Sequence, residues 1–422
     1  MFLYKKSAIV NATQMLQISS LYQWQEKPID AILEGLDVFV SAPTSSGKSA
    51  LFQLPAVAEE GLTLTIVLSP LRALQEDQVN SLRKKGIAAE LLNSDLSSQA
   101  RRQVLEKLPH SMLLYLAPEQ LLCSDLQNEL SQCTVARVVL DEAHILPQVE
   151  ANFRKAYQKI GDFIQSLPSR PQVLALTATA TVKDRKRIVK ALGMENSKTF
   201  AFPLRRDNLA LHIKRIEEKS TSRKKSGARL NLSQSVERAL KDWNGKGRVI
   251  IYCPTVKGVK HLYHWLKGRN WPVTKYTGKM SHKKRLESQE RFLSGKRVIV
   301  IATNAFGLGI DISNVRLIIH AGLPLSMDGY VQEIGRAGRD GKKSLCLLLY
   351  SKQDFGKNQH ILRHSLNSKS AQQAFDRLNA LHRLVNAESC IWSGIEKYFG
   401  QKNFTPCNNC SHCKSKSLKS QT

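Results

Sequence analysis

Short apolar runs alternate with longer amphipathic stretches along the first half of the chain. Between Asp37 and Leu192 the runs are DVFVSA, LTIVL, MLLYL, ARVVL and QVLAL, and turn-forming or polar residues follow each one. Runs of this length, separated by helical segments, predict strands of a parallel sheet that is covered on both faces. The same rhythm restarts at Arg248 with RVIIY, PVTKY, RVIVIA, VRLIIH and SLCLLLY. The pattern therefore predicts two α/β domains, for which 422 residues are sufficient.

Other segments lack this rhythm. Residues 217–234 are rich in serine and basic residues and show no apolar period before Val236, which predicts a surface linker without regular structure. After Tyr350 the pattern becomes helical, and the last residues indicate a solvated tail. We expect a first lobe over 1–206, a second over 207–350, a helical module over 351–414 and the tail over 415–422.

Charge narrows the choice of partner. The chain has 63 Lys and Arg against 35 Asp and Glu, a formal net charge of +28. Such an excess favours a polyanionic partner, although a ribosome-associated or merely basic protein would share it. No apolar stretch approaches the length of a membrane span, and the first twenty residues do not form a secretory signal. We therefore predict a cytoplasmic protein that does not bind membranes.

A phosphate-binding loop follows the first predicted strand. Residues 42–49 read APTSSGKS, and an apolar helix follows them. Strand, small-residue loop, Gly-Lys-Ser and helix is the order of a P-loop, whose backbone N–H groups cradle phosphates. Lys48 can reach the β- and γ-phosphates of ATP, and the Ser49 hydroxyl can bind Mg²⁺. The other predicted nucleotide contacts in the loop are Thr44, Ser45, Ser46 and Gly47.

A second acidic element supports this prediction. The strand VARVVL ends directly in Asp141 and Glu142. Ligands of α/β folds lie at the carboxyl ends of the strands. Asp141 can hold Mg²⁺, and Glu142 can orient and deprotonate an attacking water. In the second lobe, QEIGRAGRDG places Arg336 and Arg339 one helical turn apart, where guanidinium groups can stabilise charge on a γ-phosphate.

The last cysteines have the spacing of a metal site. Cys390 is followed after sixteen residues by Cys407, and Cys410 and Cys413 follow at intervals of three. Four thiolates in this arrangement suit a tetrahedral structural Zn²⁺. A redox CxxC pair would not need the further cysteines.

The motifs resemble those of superfamily 2 helicases. APTSSGKS, LSPLRALQEDQV, LAPEQLL, LDEAH, LTATAT, IIYCPT, VIVIATNAFGLGID and QEIGRAGRDG occur in that family's order. DEAH together with AFGLGID, QEIGRAGRDG and the cysteine cluster is similar to RecQ helicases, from about Leu21 to Cys413. The resemblance implies two RecA-like lobes, followed by a small helical zinc-binding module.

The resemblance also implies individual roles. Gln25 would recognise adenine, Asp311 would contact the ribose, and Gln332 would join Arg336 and Arg339 at the phosphates. Residues 177–179 match the motif that couples hydrolysis to movement of the lobes. The positions implied in DNA binding are Ser69, Arg72, Phe153, Arg154 and Thr303.

The function that the resemblance implies is an ATP-dependent DNA helicase that uses Mg²⁺ and carries Zn²⁺. It would hydrolyse ATP when bound to single-stranded DNA and move along the strand 3′→5′. Its substrates would be tailed or forked DNA in repair or recombination. It would work as a monomer, and a single-strand-binding or repair protein is a candidate partner. An RNA helicase and a zinc protein with a vestigial ATPase are the alternatives. Val149 stands where the family has a tryptophan, and no winged-helix sequence follows Cys413, so we expect unwinding to be weaker than ATP hydrolysis.

Overall fold

The computed structural model describes residues 2–419, apart from residues 45, 60, 71, 146–158, 218–223, 244, 308–311, 366–367 and 403–404. These residues form two compact units, which divide after Leu204. Within the described chain, none of the helices combines the length and the apolar character that crossing a membrane requires.

The first unit is built on a seven-stranded sheet in the order β3-β4-β2-β5-β6-β1-β7, and every pairing in it is parallel. Its strands are β1 (Val38–Ser41), β2 (Thr63–Leu68), β3 (Ala89–Leu92), β4 (Leu113–Leu116), β5 (Thr134–Leu140), β6 (Gln172–Thr177) and β7 (Lys198–Ala201). Its helices are α1 (Phe2–Met15), α2 (Gln23–Leu33), α3 (Ala50–Ala58), α4 (Arg72–Lys84), α5 (Ser98–Lys107), α6 (Ser124–Leu130), α7 (Ile160–Ser166) and α8 (Val182–Ala191).

Helices cover both faces of this sheet. Successive strand residues point to opposite faces, so neighbouring residues are buried in different cores. Phe39 packs into one hydrophobic core, and its neighbours Val38 and Val40 pack into the other. Burial on both faces explains why the strands are continuous apolar runs. The prediction of a covered parallel sheet is confirmed.

The second unit has a six-stranded parallel sheet in the order β10-β11-β9-β12-β13-β8. Its strands are β8 (Leu209–Arg215), β9 (Arg248–Tyr252), β10 (Val273–Tyr276), β11 (Ile299–Ala302), β12 (Val315–Ala321) and β13 (Ser344–Tyr350). Its helices are α9 (Lys224–Asp242), α10 (Val256–Lys267), α11 (His282–Leu293), α12 (Met327–Ile334), α13 (Lys352–Ser365), α14 (Ser368–Asn386), α15 (Ile391–Tyr398) and α16 (Ser411–Lys419).

One prediction about an irregular segment is wrong. Helix α9 begins at Lys224, inside the segment that we expected to be an unstructured linker. Leu232, Val236 and Leu240 recur every fourth residue and pack against the sheet, which supports helix on the N-terminal side of Val236. Helix α16 begins at Ser411 and extends into the predicted tail as far as Lys419.

The C-terminal helices belong to the same unit as the second sheet. The Trp392 indole donates to the backbone oxygen of Leu209 at 3.4 Å. The Tyr350 hydroxyl donates to the backbone oxygen of Val385 at 3.1 Å. These contacts attach the cysteine-bearing module to β8 and β13, so the module is not a separately tethered domain.

Candidate active site and metal centre

The phosphate-binding loop leaves β1 at the carboxyl edge of the first sheet. The N–H of Ala42 donates to the backbone oxygen of Thr177 on β6, at 3.0 Å. The Lys48 ammonium group donates to the backbone oxygens of Ala42 and Pro43, at 3.1 and 2.9 Å. Lys48 therefore closes the loop on itself. The oxygens of a bound phosphate would compete with these two carbonyls for the N–H groups of Lys48.

Gln25 connects the loop to the segment before α2. Its amide donates to the backbone oxygen of Gly47 at 2.8 Å, and its carbonyl accepts from the N–H of Tyr22 at 2.8 Å. Gly47 has a φ of +80°, and a Cβ there would lie 2.9 Å from the Gln25 amide nitrogen. The exposed Tyr22 ring lies above the same glycine. The predicted adenine-recognition segment and the P-loop thus meet at one point.

The acidic pair lies at the end of β5, beside the loop. Asp141 is 8% exposed, and its N–H donates to the backbone oxygen of Leu68 at 2.9 Å. Burial, followed by the nearby Glu142 carboxylate, raises the pKa of Asp141 to about 7, although the Lys48 charge opposes this. A buried carboxyl group with surplus negative charge around it fits a divalent cation, and Mg²⁺ takes oxygen ligands. Asp141 and Ser49 are the residues that would hold it.

Glu142 has an unusual backbone conformation, with a φ of +55°. Non-glycine residues at positive φ are uncommon and concentrate at functional sites. Its carboxylate lies 3.3 Å from Nδ1 of His144, and the same nitrogen lies 3.1 Å from the Thr177 hydroxyl. The Thr177 hydroxyl also accepts from the N–H of Thr179 at 3.1 Å. The DEAH and TAT segments therefore share one buried hydrogen-bond network.

Helix α4 contains a contact that the motifs did not indicate. The Gln78 side-chain amide donates to the Ser49 hydroxyl at 3.1 Å. One turn earlier, the buried Gln75 amide donates to the backbone oxygen of Ser69 at 2.5 Å. The same helix therefore contacts both the predicted magnesium ligand and the predicted DNA-binding strand end. Gln78 and Ser49 are 29 residues apart in sequence, and Gln75 and Ser69 are 6 apart. Only the fold shows that one helix contacts both sites.

The predicted DNA contacts differ in accessibility. Ser69 is 2% exposed and Thr303 is 9% exposed, so both hydroxyl-bearing residues lie below the surface. The Arg72 side chain is 51% exposed and forms two hydrogen bonds with Asp95, at 3.0 and 3.1 Å. Arg72 is therefore the described candidate that is most accessible to a polyanion. Four predicted site residues lie outside the described residues: Ser45, Phe153, Arg154 and Asp311.

The arginines of the second unit lie on a loop rather than on a helix. Helix α12 ends at Ile334, so Gln332 is helical, whereas Arg336 and Arg339 lie in the turns that follow. The prediction that the two arginines share a helical turn is wrong, because the helix ends before both of them and Gly338, which lies between them, has a left-handed φ of +52°. The Arg336 guanidinium donates to the backbone oxygen of Gly307.

Residues that sequence reasoning missed support this arginine loop, which we define as residues 335–341. The Arg206 guanidinium donates to the backbone oxygens of Gly335, at 3.0 Å, and of Gly338. The Asn208 amide donates to the Gly338 oxygen as well, at 2.9 Å. Burial lowers the pKa of Arg206, yet its hydrogen bonds go to loop carbonyls. Arg206 and Asn208 therefore hold the loop that presents Arg339.

The four clustered cysteines meet in space as predicted. Their Sγ atoms all lie within 4.8 Å of one another, and those of Cys407 and Cys413 are 4.0 Å apart. Zinc–sulfur bonds of about 2.3 Å in a tetrahedron require sulfur atoms about 3.8 Å apart, so the group fits Zn²⁺ with a small contraction. Burial raises the pKa of the Cys390 thiol, but hydrogen bonds from Ser393 and the Cys407 N–H outweigh burial and lower it to about 6. These hydrogen bonds favour the thiolate at Cys390, whereas burial raises the pKa of the Cys407 thiol to about 12.

The zinc-binding module contacts helix α12 through a buried carboxylate. Asp328 is 2% exposed and accepts a hydrogen bond from the Tyr398 hydroxyl at 3.2 Å. Nε of Arg377 lies 3.7 Å from the same carboxylate oxygen. Helix α12 also contains Gln332 and leads directly into the arginine loop. A polar junction therefore joins the cysteine module to the segment that carries the predicted phosphate-binding side chains.

Three family models match successive parts of the chain. Residues 22–188 match the DEAD/DEAH box helicase family, residues 232–341 the helicase conserved C-terminal domain, and residues 352–414 the RecQ zinc-binding family. Among solved structures, S. cerevisiae Dbp5 bound to RNA and ADP BeF3 has a TM-score of 0.65 at 18% identity, covering 98% of this chain and 96% of that one. DEAD-box helicase Mss116 bound to ssRNA and UDP-BeF has a TM-score of 0.66 at 20% identity, covering 93% and 86%. These likenesses show two RecA-like lobes.

Curated relatives define the family more closely. The ATP-dependent DNA helicase RecQ of Bacillus subtilis is 34% identical over 88% of this chain and 60% of its own length. The RecQ of Haemophilus influenzae is 33% identical over 97% of this chain and 64% of its own length. The probable ATP-dependent DNA helicase RecS of B. subtilis is 33% identical over 88% of this chain and 72% of its own length. The chain thus spans less than two thirds of the length of the first two relatives. With the P-loop, the DEAH segment, the arginine loop and the four-cysteine cluster all in place, the chain belongs to the RecQ family of ATP-dependent DNA helicases.

Proposed function

We propose that this chain is an ATP-driven motor that moves along single-stranded DNA. The observation that carries the proposal is the grouping at the carboxyl edge of the first sheet, where Lys48, Ser49 and Asp141 meet the DEAH–TAT network. This edge is where parallel α/β sheets bind ligands, and the network joins the DEAH segment to residues 177–179, which match the helicase motif that couples hydrolysis to movement. Membership of the RecQ family supports DNA rather than RNA as the polymer.

Each side chain has a defined task in hydrolysis. Lys48 neutralises the β- and γ-phosphates, and Ser49 and Asp141 would hold a magnesium ion, which would supply further positive charge for hydrolysis. Glu142 orients a water and accepts its proton as the water oxygen bonds to the γ-phosphorus and the bond to ADP breaks. The His144 ring is a candidate to orient the Glu142 carboxylate, because its Nδ1 lies 3.3 Å from a carboxylate oxygen.

The resemblance to helicases also gives the arginine loop of the second unit a role in hydrolysis. We assign Arg336 and Arg339 to the developing charge on the γ-phosphate, with Gln332 as a polar neighbour and Asp311 at the ribose. Arginine fingers in other phosphoryl-transfer enzymes contribute about 10³–10⁵ to the rate. Arg206 and Asn208 are positioning residues in this scheme, because they bind the loop carbonyls.

The polymer is proposed to contact the exposed Arg72, together with the strand ends at Ser69 and Thr303 and the residues Phe153 and Arg154. Movement 3′→5′, stimulation of the ATPase by single-stranded DNA and a role in DNA repair or recombination are part of the proposal. Zn²⁺ at the cysteine cluster would stabilise the module without taking part in hydrolysis.

An ATPase assay with three additions tests the proposal: oligo(dT), oligo(U) of equal length, and no polymer. We expect oligo(dT) to stimulate turnover most strongly. Lys48→Ala and Glu142→Gln should abolish that turnover, and Arg339→Ala should reduce it by about 10³-fold or more. Equal stimulation by oligo(U) would favour an RNA motor instead. Absence of turnover under all three conditions would indicate a zinc protein with a vestigial ATPase.

A further inference from the structure

One edge of the second unit carries a concentration of positive charge that the proposed motor does not use. Residues 256–297 contain twelve Lys and Arg against two Asp and Glu, a formal excess of ten positive charges. The whole chain has an excess of +28 over 422 residues. About a tenth of the chain therefore carries more than a third of its net charge. We call these 42 residues the basic edge.

The basic edge forms a continuous part of the fold. It comprises α10, β10, α11 and their connections, and both helices pack against β10. Strand β10 is the first strand of the sheet and pairs with β11, whereas β8 is the last strand. The module that holds the cysteines contacts β8, where the Ile213 N–H donates to the Ser411 hydroxyl. Five strand spacings, about 24 Å, separate the two edges.

Most charges of the basic edge are exposed and are not paired with a carboxylate. Arg269 pairs with Glu237 at 3.3 Å, and it is the one member of the twelve with a carboxylate within 4.0 Å in the described part of the chain. The exposed members are Lys257, Lys260, Lys267, Arg269, Lys279, Lys283, Lys284, Arg291, Lys296 and Arg297. Unneutralised cations that are held this close together repel one another, so an external polyanion would be favoured here.

Aromatic rings order some of these cations. The Lys275 and Lys267 ammonium groups lie 4.6 and 5.8 Å from the centre of the Tyr263 ring. The Arg269 guanidinium lies 3.5 Å from the centre of the Trp265 ring. Such contacts restrict long side chains, which reduces the entropy that binding would cost.

The same contacts indicate which part of a nucleic acid would bind. Proteins that bind single strands present open aromatic faces on which unstacked bases lie. On the basic edge the protein's own cations lie over Tyr263 and Trp265, so these rings are not open for stacking. Cations without stacking platforms suit a sugar–phosphate backbone, and duplex DNA has the highest charge density, one charge per about 1.7 Å of axis.

We propose that the basic edge binds the backbone of double-stranded DNA, independently of sequence, as a second contact distinct from the translocated single strand. The proposal rests on the DNA-dependent function proposed above. This contact would bind the duplex at the edge of the sheet opposite to the edge that contacts the zinc-binding module.

The test compares two variants of equal net charge. The edge variant is Lys257→Gln/Lys260→Gln/Lys283→Gln/Lys284→Gln, and all four lysines are exposed. The control variant is Lys27→Gln/Lys84→Gln/Lys107→Gln/Lys190→Gln, with four exposed lysines of the first unit. Binding to a blunt 30-base-pair duplex and to oligo(dT) of the same length is measured by fluorescence anisotropy at several salt concentrations, without nucleotide.

We expect the edge variant to bind the duplex at least tenfold more weakly than the control variant does. The slope of log K against log salt should become shallower, by as much as about 3.6 if all four lysines contact phosphates. Binding to oligo(dT) and the oligo(dT)-stimulated ATPase should match those of the control.

Two results would overturn the proposal. In one, the duplex affinity and the salt slope of the edge variant equal those of the control. In the other, duplex and oligo(dT) binding fall together, which would assign the basic edge to single strands. A failure of the proposed motor is a different result, because the wild type would then show no polymer-stimulated ATPase whatever the variants do.

Discussion

Two glycines of the arginine loop form a matched pair that tests whether backbone packing there positions Arg336 and Arg339. Gly338 and Gly341 both have positive φ, +52° and +75°. A Cβ on Gly338 would lie 2.6 Å from the Asn208 amide nitrogen and from the Lys342 backbone oxygen, and 2.7 Å from the Ser344 hydroxyl. A Cβ on Gly341 would meet no atom within 4 Å. Only the first substitution adds a clash to the backbone strain.

The expected magnitudes follow from these distances. Placing an L-residue in the left-handed region costs about 1–2 kcal/mol, and both alanine variants share that cost. Overpacking adds about 1–3 kcal/mol at Gly338 alone. Gly338→Ala should therefore destabilise the second unit by about 2–5 kcal/mol, and Gly341→Ala by about 1–2 kcal/mol.

Urea unfolding followed by tryptophan fluorescence measures this difference, because four of the five tryptophans belong to the second unit: Trp243, Trp265, Trp271 and Trp392. Displacement of the Gly338 carbonyl also releases the donors on Arg206 and Asn208, so ATP turnover should fall by as much as about 100-fold. Equal stability of the two variants, or wild-type turnover of Gly338→Ala, would refute the reasoning.

Three further predictions follow from contacts described above. Tyr398→Phe removes the hydrogen-bond donor to the buried Asp328 but keeps the ring, and should lower the free energy of unfolding in urea by about 1.5–3 kcal/mol. The control Tyr22→Phe, at an exposed position, should change the free energy of unfolding little. Equal losses of stability in the two variants would contradict the role of the junction. Gln78→Ala should raise the Mg²⁺ concentration for half-maximal ATPase by a larger factor than that by which it lowers turnover at saturating Mg²⁺. The control Asn80→Ala, at an exposed position of the same helix, should leave the Mg²⁺ dependence unchanged. An unchanged Mg²⁺ dependence of Gln78→Ala would exclude Gln78 from positioning Ser49. Cys410→Ser should lose zinc by elemental analysis and expose the module to proteases, whereas His412→Ala should keep it; a wild type without zinc after preparation without chelators would refute the site.

Periodicity predicted much of the sheet architecture because buried parallel strands are apolar along their whole length. It missed β3, where Glu90 interrupts the apolar run AELL, and β7, which is an edge strand with exposed residues such as Lys198 and Thr199. It also missed β8, where LALHIKR mixes buried and partly exposed positions. Strands of this kind carry a weak apolar signal, so their assignment requires the pairing partners.

Short motifs predicted the chemical groups of the site but not what holds them. Lys48, Asp141 and the four cysteines could be named because their spacing itself carries the chemistry. The contacts Gln25–Gly47, Gln78–Ser49 and Arg206–Gly335 span 22, 29 and 129 residues. Such pairs depend on how the strands are ordered, which no local pattern encodes. The conformation of the arginine loop escaped prediction for a related reason, since spacing alone suggested a helix.

The central claim is that ATP hydrolysis at Lys48, Asp141 and Glu142 drives movement along single-stranded DNA. It is tested most directly by displacement of streptavidin from oligonucleotides biotinylated at one end or the other. A motor that moves 3′→5′ should release streptavidin from the 5′ end in an ATP-dependent reaction, leave the 3′ end occupied, and lose the activity in Glu142→Gln. Release that is equal at both ends, that proceeds without ATP, or that persists in Glu142→Gln would contradict the account.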